Sequence, residues 1–133
     1  MISIDDARRI IAAGEERAAR IGVPANIAVL DAATHLKAFS RMDGALLGSI
    51  DIAVSKARTA ALFTMRTEGV GEFCKPGGTS PGLEQTNGGL VVFGGGIPVL
   101  DAAGIVIGAV GVSGGAVAQD VEIAEAAAAA LGT

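Results

Sequence analysis

Tryptophan and tyrosine are absent from this chain of 133 residues, and its only aromatic side chains are four phenylalanines. A core with so few rings must be filled by Ala, Val, Ile and Leu, which together with the other apolar types make up half the sequence. Cys74 is the single cysteine, which excludes an internal disulfide and a cysteine-cluster metal site. There is no basic excess: the net charge is −4, and no basic patch with interleaved aromatics exists, which argues against a nucleic-acid partner. Apolar runs stop short of membrane-spanning length, and the N-terminus lacks the basic leader and apolar core of a signal peptide. The expectation is one soluble, cytoplasmic domain over residues 1–133. A high apolar fraction with few aromatics also points to apolar surface buried between subunits, hence a homo-oligomer.

What is present centres on residues 97–115. Two runs rich in Val and Ile flank the turn Asp101-Ala102-Ala103-Gly104, the pattern of a β-hairpin. The second run is apolar at nearly every position, as in a strand covered on both faces. Val29-Leu30-Asp31-Ala32-Ala33 repeats Val99-Leu100-Asp101-Ala102-Ala103. Asp at a turn start bonds its own downstream amides, so the repeated Asp needs no catalytic explanation.

The remaining elements follow in order. Ser3 caps a helix to about Ile21, with Asp5 and Asp6 in its first turn and Gly22 as its stop. Ile27–Leu30 and Leu36–Arg41 read as strands, and Ser49 as the cap of a second helix to about Met65. Glu68–Phe73 reads as a short helix, residues 75–89 as a glycine- and proline-rich loop, and Leu90–Phe93 as another strand. Val117–Leu131 forms the last helix, stopped by Gly132. The order α-β-β-α-loop-β-β-β-α gives an α+β fold, a five-stranded, largely antiparallel sheet with helices on both faces.

Some residues stand out chemically. Lys56 has no carboxylate at helical spacing; its stem either snorkels along an apolar wall or projects into a pocket. Gly94-Gly95-Gly96 and Ser113-Gly114-Gly115 expose backbone amides suited to an anion, although tight turns need the same residues, and neither segment fits the dinucleotide fingerprint. Cys74 is followed by Lys75, but without a partner base it reads as a small apolar side chain.

Several motifs together resemble one family: Val29–Leu36, Arg41–Ala45, Ser55–Ala60, Gly94–Val99 and Gly108–Gly115 with Gln119-Asp120. They are similar, in order and spacing along essentially the whole chain, to the GlcG/HbpS-like family, which also supplies the C-terminal domain of PduO-type corrinoid adenosyltransferases. The resemblance implies a profilin-like sheet, homo-oligomers and, for several members, haem binding; other members sit beside catabolic operons. It makes a haem- or tetrapyrrole-binding protein, in sensing, carriage or breakdown of haem, the first functional expectation. His35, the only histidine, is then the candidate ligand to haem iron, and Met42 and Cys74 are the other soft donors. Arg41 and Lys56 are the candidate propionate partners, with Gly94, Gly95 and Gly114 completing the cofactor site. The alternative is a small-molecule catabolic enzyme acting on a carboxylate-bearing substrate in a pocket between subunits, with Lys56 or Asp43 in acid/base work. The sequence departs from the family at Ala33-Thr34, where glycine is usual before His35. A β-branched Thr resists positive φ, so this turn is expected to differ.

Overall fold

The computed structural model describes residues 1–132; Thr133, the last residue of the expected domain, lies outside the described residues. Helix α1 (Ile4–Ile21) opens the chain. Ser3 Oγ accepts the amide of Asp6 at 3.0 Å, and Gly22 ends the helix in the left-handed region at φ 73°. Strands β1 (Asn26–Asp31) and β2 (Leu36–Arg41) follow, then α2 (Gly48–Phe63) and α3 (Thr67–Cys74). After a long connection come β3 (Gly96–Leu100), β4 (Val106–Ser113) and α4 (Val117–Ala128).

The sheet has four strands in the order β2-β1-β4-β3, all neighbours antiparallel. The two central strands are the two most apolar runs of the sequence. Side chains alternate across them, and each face is covered. Ile27, Val29, Val110 and Val112 pack with Ile10, Ala18, Ile123 and Ala127 of α1 and α4. Ala28, Leu30 and Ala109 face Ala53, Ala57 and Ala60 of α2. The second interface is made almost wholly of small residues, so α2 lies close on the sheet. A Cβ on Gly111 would stand 2.0 Å from the carbonyl oxygen of Ala53.

Two expectations need correction. The fifth strand, Leu90–Phe93, does not form. Its amides are held elsewhere: Leu90 N donates to the Glu84 carbonyl at 2.8 Å, and Val91 N to Thr59 Oγ1 of α2 at 3.2 Å. Gly95, at φ 127°, then turns the chain, which no pleated strand continues through. Pairing with β4 begins only at Gly95, whose carbonyl accepts from Val112 N at 2.9 Å. Nor does Ser49 cap α2. The helix starts one residue earlier, and Ser49 N and Ile50 N donate to the Leu46 and Leu47 carbonyls at 3.1 Å. That tight turn satisfies amides a side-chain cap would otherwise take.

Candidate functional site

The β1–β2 turn carries His35. Asp31 Oδ1 accepts the amides of Ala33 and His35 at 2.9 and 3.0 Å, and Thr34 N donates to the Asp31 carbonyl at 3.0 Å. Thr34 sits at φ 69°. The turn therefore keeps the left-handed residue expected of glycine, against the expectation that Thr would change it. The β3–β4 turn is its copy: Asp101 Oδ1 accepts Ala103 N and Ile105 N, both at 2.9 Å, and Gly104 lies at φ 81°. Two side-chain bonds and one backbone bond fix the Asp31 turn closely enough to hold Thr34 in its unfavourable region. The His35 amide is also the main reason the Asp31 carboxyl is held below its usual range, with the Ala33 amide adding to it against partial burial. The His35 side chain is 81% exposed, with Nδ1 3.9 Å from Asp31 Oδ2. Leu36, the next residue, and Ile105 of the β3–β4 turn are both exposed at the same end of the sheet.

The other candidates lie elsewhere. Arg41 pairs with Asn26 at the far end of β2, about 20 Å of extended strand from His35, at roughly 3.3 Å per residue. Asp43 is exposed in the loop after Arg41. Lys56 is fully buried, which corrects the snorkelling reading: its head does not reach water. Its Nζ donates to the Val112 carbonyl at 2.8 Å and meets Asp120 Oδ2 of α4 at 3.3 Å. The Phe93 ring covers it at 5.0 Å from the centroid. Lys56 thus starts from α2 on one face of the sheet and ends on α4 of the other, tying three layers together. Burial lowers its pKa below the ordinary lysine value, and Asp120 opposes that shift.

Glycine makes this crossing possible. A Cβ on Gly95 would lie 2.7 Å from Lys56 Nζ, and one on Gly94 would lie 2.5 Å from Val121 Cγ2. Gly114 passes as closely over Pro24, whose carbonyl oxygen a Cβ would meet at 2.7 Å. Gly96 N donates to Thr67 Oγ1 at 2.9 Å, while Gly115 N donates to Asp120 Oδ1 at 2.9 Å and Ala116 N to Gln119 Oε1 at 2.9 Å. Several amides of the glycine segments are therefore already engaged within the protein.

The chain brings Arg41, Lys56, Gly94, Gly95 and Gly114 toward one end of the sheet and leaves His35 at the other. Lys37, two residues past His35, is close enough to Asp31 to act on its charge, a further cation beside the turn. Asp120 is the partner of Lys56 that helical spacing does not reveal. The signal for it was a buried-helix lysine with no local carboxylate, which requires a distant one. Among the described residues, no group of three or more His, Cys, Asp or Glu is placed to hold a bare metal ion, and no helix is long and apolar enough to cross a membrane.

A family model described as haem degrading protein HbpS-like matches residues 2–129. The chain belongs to the HbpS-like family. It is 44% identical over 96 residues to Protein GlcG of Escherichia coli K12, covering 69% of this chain and 72% of that protein. It is 38% identical over 130 residues to the corrinoid adenosyltransferase PduO of Salmonella typhimurium, covering 98% of this chain but only 39% of PduO. The crystal structure of a PduOC–haem complex superposes on this HbpS-like fold with a TM-score of 0.91 at 38% identity, covering 98% of this chain and 95% of that one.

Proposed function

We propose that this HbpS-like chain binds haem or a related tetrapyrrole, and that the His35 imidazole would hold its iron. The observation that carries this reading is the close match to a structure solved as a haem complex, 0.91 in TM-score over nearly the whole chain. The chemistry of the turn supports it. His35 offers an accessible imidazole, Leu36 and Ile105 give apolar edges, and Lys37 supplies a cation for a propionate. Bound haem would contribute a redox-active iron; the chain's own part would be to offer the imidazole. A single turn covers little of so large a ligand, so the site is completed by a second copy in a homo-oligomer. Arg41 can serve a propionate only as a partner copy's residue, and Lys56 acts as an internal brace. Sensing, carriage and breakdown of haem all begin with this binding step.

An absorbance titration of purified protein with haemin tests the proposal, wild type beside His35→Ala. Saturable uptake with a Soret band that shifts in the variant is the expected result. Identical, unsaturable uptake by both proteins overturns it.

A further inference from the structure

The two long helices meet solvent differently. The outward side of α1 carries Arg8, Arg9, Glu16 and Arg20, each paired with a charged residue of its own helix. Helix α2 holds only three charged residues, and one of them, Lys56, is buried. Ala53, Ala57 and Ala60 take the sheet side. The opposite line, by helical phase, is Leu47, Asp51, Val54, Ser55, Arg58 and Leu62, every one exposed or half-buried. Leu47 is 70% exposed and Leu62 41%, and Leu47 at the N-cap already has helical backbone angles. A surface helix ordinarily turns a polar face to water. This one turns out two leucines, a valine and just two charges. Among the described residues, neither Asp51 nor Arg58 makes an ion pair within the chain. They stand two turns apart, about 10 Å along the axis, too far to meet each other.

We propose that the outward face of α2 is a homodimer interface, in which two copies of the helix pack antiparallel about a two-fold axis between Val54 and Ser55. The spacing makes this face complementary to itself. With the axis at that point, Asp51 falls opposite Arg58 of the second copy, and Arg58 opposite Asp51 of the second copy. Leu47 falls opposite Leu62 of the second copy at each end of the contact, and Val54 meets Ser55 at its centre. An isologous contact requires this reciprocity. Two α2 helices running parallel would instead set Asp51 against Asp51 and Arg58 against Arg58, so the charges select the antiparallel pairing. Ser55 is small and lets the two helix axes come close at the crossing. The leucines and the valine leave water on pairing, which supplies the favourable term, while the ion pairs fix the register. The occupant is a second copy of this chain because the face carries its own complement. The proposal gives the homo-oligomer a surface, and it stands whether or not haem binds.

Sedimentation equilibrium of the full apo-chain tests this, with wild type beside Asp51→Arg, Arg58→Asp and the variant carrying both exchanges. Each single reversal sets like charges opposite each other twice in a symmetric dimer. The double exchange restores both pairs in swapped order, and so does an equimolar mixture of the two single variants, as a heterodimer. Wild type is expected to self-associate at micromolar concentration. Each single reversal should weaken that association about tenfold or more, and the double exchange and the mixture should both recover it. Leu62→Glu should weaken it as well, with no recovery on mixing with either charge variant. These positions are exposed or half-buried in the single chain, so far-UV circular dichroism of the variants should match wild type. If a single reversal fails to fold, the double exchange and Leu62→Glu decide. A wild type that stays monomeric to near-millimolar concentration leaves the face to a different partner and overturns the proposal. Single reversals that associate like wild type overturn it, as do losses that neither the double exchange nor the mixture repairs. Haemin titrations report on the haem reading separately: loss of haem uptake leaves the α2 contact standing, and loss of the contact leaves His35 to be judged by its own variant.

Discussion

Lys56 and His35 each stand beside an aspartate, and they share little else. Lys56 is wholly buried, 3.3 Å from Asp120, and spans the sheet. His35 is exposed, 3.9 Å from Asp31, at the opposite end of β1 from the one Lys56 braces. The first pair is closed off from solvent and holds layers together; the second lies in a turn with its ring in solvent. Charge beside charge is therefore no guide to function without burial. For Lys56 the path of the stem, not the chemistry of the head group, decides what the ammonium meets.

The largest expected effect breaks the buried pair. Asp120→Ala leaves the Lys56 ammonium buried without a counter-ion and should cost about 3–5 kcal/mol in urea unfolding. Replacing both partners, Lys56→Met with Asp120→Leu, should cost clearly less than the two single changes added together, since no charge is left stranded. The same pair has a pH signature. Lys56 has a folded pKa below its unfolded value of 10.5, so the unfolded chain binds more protons in the window between the two. Stability contributed by this group rises as pH climbs through that window. The stability of wild type relative to Lys56→Met should accordingly increase toward alkaline pH, as followed by denaturant midpoints.

Smaller effects sharpen the comparison at the turn end. Thr34→Gly should stabilise by about 0.5–1 kcal/mol, because the left-handed strain removed exceeds the flexibility added. Gly104→Thr in the twin turn should destabilise by about 1–2 kcal/mol. Thermal melts of the two variants should thus move in opposite directions. His35→Ala should change stability by less than about 0.5 kcal/mol, the size usual for an exposed side chain. Its effect belongs to ligand binding alone.

Much of this architecture is written locally in the sequence. Ser3, Asp6 and Gly22 mark α1 because caps act within a turn, and the two Asp-Ala-Ala turns declare their hairpins for the same reason. The family is legible too, since its motifs are spread along the chain. Leu90–Phe93 misleads because its composition suits a strand, whereas its partner is the Thr59 hydroxyl of α2, thirty-odd residues away in sequence. The Lys56–Asp120 contact is equally long-range, between residues 64 apart, and no local pattern announces it. The glycine runs carry two messages that look alike in sequence: room for a ligand, or room for the chain's own lysine. Only the distances from Gly95 to Lys56 tell them apart.

The most direct test of the account compares the two ends of the sheet in one experiment. Haemin titrations of wild type, His35→Ala and Arg41→Ala, each followed at the Soret band, separate ligation at the turn from capture at the far end. His35→Ala should lose the saturable, shifted band while Arg41→Ala keeps it with at most weaker affinity. Loss of the band in Arg41→Ala with full retention in His35→Ala would place the ligand at the other end of the sheet and contradict it.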